Sequence, residues 1–244
     1  MTDPLAQLLE LPGVEEAVRT ARDSVAEVHR HPANRRGWPA TAAEASVRAA
    51  RASAVLDGGD AEIPEQGDVT DPVLAGSLRV AEALGPLLPT WERAPLQALA
   101  RLHLLAAADL TDDESLGRPR SAPGVGGRLS LLAGLVAGGT KVPGPVLVAV
   151  VHGELLTLAP FGSADGVVAR AAARLASIGS GLDPKGLAVP EVSFMRRADA
   201  YRAAAEGFAS GEPDGVTKWI LFCCEAVVAG AREATSIADA ALAE

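Results

Sequence analysis

Between residues 94 and 109 the apolar positions Leu96, Leu99, Leu102 and Leu105 or Ala106 recur three and four apart, with His103 among them. That is the spacing of one helix face. The same alternation, rich in Ala and Leu, covers most of the chain and predicts a succession of helices. Pro12 and Gly13 open a helix running to about His29, with Glu15 and Glu16 in its first turn, where the macrodipole favours acids. Residues 34–39 read as a loop. Thr41 with Glu44 three residues on has the form of a capping box, and its helix should reach about Leu56. Residues 58–67, rich in Gly, Asp, Glu and Pro, read as a connector. Asp71-Pro72 opens a helix that Gly85-Pro86 is expected to end. Residues 112–127 hold Pro119, Pro123, Gly124, Gly126 and Gly127, so regular structure there should be brief. Helices are expected over 129–138, 143–158 and 166–178. After a loop with Pro184 and Pro190, two more are expected over 196–209 and 213–241.

Composition narrows this picture. The 244 residues suffice to bury one full core without disulfides or metals. Apolar residues make up 48% but aromatics only 3%, so the core must be built of Ala, Leu and Val in an all-α bundle. The formal charge of −9 argues against a nucleic-acid partner, which needs a basic face. One basic island, from His29-Arg30-His31 to Arg35-Arg36, is broken by Pro32 and reads as a solvated loop. Cys223 and Cys224 are adjacent on an expected helix and point about 100° apart, which suits buried thiols of a reducing compartment. The apolar runs 129–139 and 146–158 fall short of the ~20 residues of a membrane span, and the start does not resemble a signal peptide. A cytoplasmic chain without a membrane partner is expected.

The chemistry concentrates in residues 147–175. An apolar stretch ends at Ala159-Pro160-Phe161, a turn of small residues follows (Gly162-Ser163-Ala164-Asp165-Gly166), and a second helical stretch leaves with Arg170 one turn in. A tight turn feeding a helix start is the layout that places backbone N–H groups on an anion. The side chains that would act on that anion are mostly absent.

This segment resembles the signature loop of the Fic (Fic/Doc) family, H-P-F-x-[D/E]-G-N-G-R-x-x-R. Pro160, Phe161, Gly166 and Arg170 match it. Ala159 stands at the family's histidine, Ser163 at its acidic metal ligand, Ala164 at the first glycine, Asp165 at the asparagine and Val167 at the first arginine. The flanks extend the resemblance over about residues 41–231. Residues 146–158, with His152, resemble the approach helix, and Tyr201 and Trp219-Ile220-Leu221-Phe222 the closing helices. Leu102-His103-Leu104-Leu105 and Leu116-Gly117-Arg118-Pro119-Arg120 resemble the helix and target-docking flap segment. In the family that flap is a β-hairpin, and here it should be reduced or lost. Ser53-Ala54-Val55-Leu56-Asp57-Gly58 is similar to the inhibitory helix pattern [S/T]-x-x-x-E-[G/N], with Asp for Glu. The resemblance therefore implies an ion pair between Asp57 and Arg170. An Asp-Gly pair ending an Ala-rich helix is equally an ordinary C-terminal stop.

The fold implied is all-α: a Fic-like helical bundle with an N-terminal inhibitory-type helix. Residues 1–40 would form an N-terminal helix and loop, and 41–244 the Fic-like domain, whose helix 41–58 is the inhibitory one. The resemblance also implies a reaction, transfer of AMP from ATP to a hydroxyl of a target protein. It needs a base, a carboxylate-held Mg²⁺ and a grip on anionic charge. Ala159 has no titratable group, and losing a general base alone removes about 10²–10⁴ in rate. His152 lies seven residues back, roughly 10 Å along a helix, and reads as a packing residue. Ser163 offers a hydroxyl where a hard cation prefers a carboxylate. Asp165 could compensate or, the larger effect, repel phosphate from within the anion nest. Ala164 would cost about 1–2 kcal/mol if held left-handed, and Val167 removes a guanidinium.

The function expected is that of a degenerate Fic-fold protein without AMP transfer, binding a protein partner or stabilising an assembly, homo-oligomers included. No metal or cofactor is expected, with ATP and Mg²⁺ at most weak ligands. The alternatives are a nucleotide-binding regulator using Phe161, Gly162, Ser163, Asp165, Gly166 and Arg170, or a transferase of altered chemistry with Asp165 as base. Ser53, Asp57 and Gly58 are the candidates for the inhibitory element.

Overall fold

The computed structural model describes residues 3–243. A 3-10 turn (Ala6–Glu10) precedes α1 (Val14–Arg30), α2 (Pro32–Arg36), α3 (Trp38–Leu56), α4 (Pro72–Arg93), α5 (Pro95–Ala107) and α6 (Val125–Gly134). A π-helical turn (Leu135–Gly139) leads to α7 (Gly144–Leu158), α8 (Asp165–Gly179), α9 (Pro190–Arg196), α10 (Ala198–Ala209) and α11 (Pro213–Ala243). No strand occurs among the described residues, and the fold is all-α. No described helix is long and apolar enough to cross a membrane.

The centre is the hairpin of α7 and α8. On α8 every residue from Val167 to Ala176 is buried, the mark of a helix enclosed on all sides. Helices α3, α4 and α5 lie against α8, and α10 and α11 against α7. Helix α1 buries Val14, Val18, Ala21, Val25 and Val28, spaced three and four apart, along α11. Phe194, Tyr201 and Trp219 gather round His152, and Phe222 packs on Phe194 and Tyr201. The indole of Trp219 donates to the Ala149 carbonyl at 2.8 Å, so its buried N–H is satisfied. Cys223 and Cys224 are free and buried on α11, and burial pushes both thiols up, Cys224 to about 12.

Three expected boundaries are corrected. Helix α4 runs through Gly85, Pro86 and Pro89 to Arg93 instead of ending at Gly85-Pro86. Its core stripe of Val80, Leu84, Leu87 and Trp91 continues unbroken, while Gly85, Pro86 and Pro89 face solvent. The missing proline N–H groups therefore strand carbonyls on the side where water can serve them. Residues 34–39 are not a loop: α2 reaches Arg36 and α3 begins at Trp38, with only Gly37 between. Pro32 and Pro39 fall in first turns, where no N–H is needed. Thr41 is accordingly not an N-cap. Its buried hydroxyl donates to Asn34 Oδ1 at 2.7 Å, and Glu44 pairs with Arg48 at 2.7 Å. The helix expected over 129–138 instead spans Val125–Gly134, and the π-helical turn with Gly138 at φ +102° takes up its end.

Candidate functional site

Helix α7 stops at Leu158 and α8 starts at Asp165, and the loop between them is framed by two left-handed alanines, Ala159 (φ +41°) and Ala164 (φ +50°). Left-handed backbone costs an L-residue roughly 1–2 kcal/mol, so both carry strain a glycine would not. The Ala159 N–H closes on Leu155 O at 3.0 Å, the usual left-handed helix stop. Arg120 then braces the turn. Its N–H donates to Pro160 O, its Nε to Ala159 O and its Nη2 to Leu158 O, each at 2.8 Å. A guanidinium is thereby placed on the negative end of α7. The segment that supplies it, residues 112–124, is a run of turns without a strand.

The Asp165 carboxylate folds back into its own loop. Oδ1 accepts the Phe161 N–H at 2.9 Å and Oδ2 the Gly162 N–H at 2.7 Å. Burial raises its pKa above the usual carboxylate value, against the two amides and the nearby Arg120, which lower it; Asp57 adds to the rise.

A second carboxylate meets the start of α8. Asp57, just past α3, accepts the Val167 N–H at 3.0 Å and pairs with Arg170 Nη2 at 2.8 Å. The expected ion pair is direct. Arg170 is 2% exposed; its Nε donates to Ser53 Oγ at 2.8 Å, its Nη2 to Ser53 O at 3.0 Å and its Nη1 to Tyr201 Oη at 3.5 Å. Burial opposes its charge, but Tyr201 and Asp57 outweigh that and hold the guanidinium above its ordinary range. Gly58 follows at φ +84°, and the Gly59 N–H returns to Ala54 O at 2.9 Å, so Asp57-Gly58 is also the stop of α3. The two readings of that dipeptide describe one structure.

Gly166 lies under Asp57, with its α-carbon packed on the carboxylate. Val167 is buried in the core. Phe161 is buried and stacks on His103, centroids 4.2 Å apart and planes within 5°. The Gly117 N–H donates to His103 Nδ1 at 2.9 Å, which leaves the imidazole proton on Nε2, 3.0 Å from Ser163 Oγ. His103 thus donates to the serine and cannot take its proton at that nitrogen. Burial lowers the pKa of His103, against its bond to Ser163.

His152 lies away from the loop, 1% exposed, with Nε2 2.8 Å from Tyr201 Oη and its pKa lowered by burial to about 3. Burial pushes Tyr201 up to about 12. The packing role expected of His152 is the one it has.

The loop candidates Phe161, Gly162, Ser163, Asp165, Gly166 and Arg170 therefore converge with Ser53, Asp57 and Gly58 at the head of α8. Two partners escaped the sequence reading as site residues, His103 and Arg120. Among the described residues no group of three or more His, Cys, Asp or Glu could hold a metal ion. At the loop, Ser163 offers a neutral hydroxyl where a hard cation prefers a carboxylate, and that hydroxyl accepts from His103.

No protein-family model matches the sequence, and no curated protein matches it. The fold does have solved counterparts. The chain is similar to a Fic family protein from Desulfovibrio desulfuricans G20, at 19% identity over 92% of this chain and 74% of that one, TM-score 0.75. It is similar to Fic-1 (residues 134–508) from C. elegans, at 14% identity over 91% and 72%, TM-score 0.70. A Fic domain containing signaling protein from Bacteroides thetaiotaomicron aligns at 10% identity over 92% and 98%, TM-score 0.63. The chain has a Fic-type fold.

Proposed function

We propose that this Fic-fold chain transfers no nucleotide and acts by binding a protein partner or by stabilising an assembly. One observation carries the reading: position 159, where the resembling loop holds its base, bears a methyl group. Nothing at that position can take a proton from an attacking hydroxyl. The rest of the loop supports it. Ser163 is tied to His103, Val167 is core, Asp165 takes the Phe161 and Gly162 amides of the loop, and Asp57 takes the Val167 amide of α8. The Asp165 carboxylate is engaged in holding its own loop, each oxygen accepting one backbone amide.

The test is incubation of the chain with ATP labelled on the α-phosphate, Mg²⁺ or Mn²⁺, and lysate proteins. No label on the chain or on any protein is expected. Label that disappears on substitution within 159–170 would overturn the proposal. Ala159→His combined with Ser163→Asp and Val167→Arg asks in addition whether the missing side chains are the cause.

A nucleotide-binding regulator is the second reading, favoured by the glycine at 166 and the arginine at 170 kept in place beneath the turn. Calorimetry with ATP and ADP separates the two: saturable micromolar binding supports the regulator, and no heat at millimolar nucleotide removes it.

A further inference from the structure

Behind the Arg170–Asp57 pair, α3, α4, α8 and α9 line a partly open hollow whose polar wall includes Ser53, Ser77, Arg170, Arg174 and Glu191. It exists because the helices meet there largely through small side chains, Ala49, Ala50, Ala81 and Ala171 among them. Two of the polar residues are buried with an unmatched atom. Ser77 is 2% exposed and its Oγ has no partner; Arg174 is 8% exposed and its Nε–H has none. The rest of that guanidinium is matched. Nη1 donates to Ala188 O at 3.0 Å and to Glu191 Oε2 at 3.3 Å, and Nη2 donates to Gly186 O at 3.0 Å. Buried donors without an acceptor are rare in native proteins, and two lining one hollow ask for a common partner.

We propose that one water molecule sits in this hollow, accepting the Nε–H of Arg174 and sharing a hydrogen bond with the Ser77 hydroxyl. The hollow measures about 20 Å³, above the roughly 10–15 Å³ a single water needs. Its lining favours a neutral guest. Arg170 is opposed by Asp57 and Arg174 by Glu191, so no surplus positive charge selects an anion. A water there joins α4, through Ser77, to α8, through Arg174. It completes the Arg174 fork, whose other arms hold the carbonyls of residues 186 and 188 and so fix the approach to α9.

Crystals of the full chain diffracting to atomic resolution, with water–protein NOE spectra in solution, test this. Expected are a density peak about 3 Å from both Ser77 Oγ and Arg174 Nε and a long-lived water NOE to the Arg174 Nε proton. Ser77→Val, whose second methyl fills the hollow, should abolish that NOE and lower Tm. In an Arg174→Met background it should lower Tm no further. If Ser77→Val does not fold, Ser77→Ala leaves the water one partner short and should shorten its residence. A dry hollow, an Arg174 Nε bonded to a protein acceptor, or an anomalous peak at this position after bromide exchange overturns the proposal.

Discussion

Asp57 rests on Gly166 so closely that a β-carbon at position 166 would stand 2.5 and 2.6 Å from the two carboxylate oxygens. The absence of a side chain at 166 is therefore what lets one carboxylate reach both the Val167 amide and Arg170, and what fastens the end of α3 to the head of α8.

That contact predicts a strong coupling. Gly166→Ala should gain about 0.5–1 kcal/mol of helix propensity yet lose more by displacing Asp57, for a net loss of about 1–3 kcal/mol. In an Asp57→Ala background the obstacle is gone, and Gly166→Ala should be neutral or mildly stabilising. A double-mutant cycle by urea unfolding measures the coupling. Additive losses would mean that Asp57 does not occupy this place in solution.

The ion pair was legible because both its halves sit in short local patterns, Ser53 to Gly58 and Phe161 to Arg170. The bundle was legible from three-and-four spacing, as on α1 and α5. Helix α4 was misread because Gly85-Pro86 breaks a helix only where the lost hydrogen bonds would be buried, and sequence does not say which face is wet. His103 and Arg120 escaped for another reason. Each acts across the fold, on Ser163 and on the end of α7, and nothing in the local sequence distinguishes His103 from a core position or Arg120 from a loop cation.

The two left-handed alanines predict a gain from glycine. Relief of about 1–2 kcal/mol of backbone strain is offset by about 0.4–1 kcal/mol of extra chain entropy in the unfolded state. Ala159→Gly and Ala164→Gly should each stabilise by about 0.5–1 kcal/mol, some 1–4 °C in Tm for a chain of this size. Calorimetric scans of the single and double variants check it, and a lower Tm in both would show that neither alanine is strained.

Arg120 predicts a local effect. Arg120→Ala removes two side-chain hydrogen bonds from the last turn of α7 but no core contact, so global stability should fall by only about 1 kcal/mol. Amide exchange over 158–164 should quicken much more than exchange along α8. Unchanged exchange in the loop would mean that Asp165 alone holds its shape.

His152 predicts a loss of stability in acid. In the unfolded chain its imidazole binds a proton near pH 6.5, and in the folded chain only near 3, because burial beside Tyr201 and the Arg170 charge disfavour the cation. Between those values the unfolded state holds more protons, so stability falls as pH drops from about 6.5 toward 3. At about 1.4 kcal/mol per pH decade the whole interval amounts to roughly 4–5 kcal/mol. His103, lowered in the same direction by burial, adds to the slope, whereas Asp165, raised by burial, contributes the opposite sign above its unfolded value of 3.8. Urea unfolding from pH 7 to pH 4 should therefore show a steep acid loss that His152→Gln, which keeps an acceptor for Tyr201, flattens by more than half. If the variant loses stability with acid as steeply as the parent, the neutral buried imidazole is not what limits the fold at low pH.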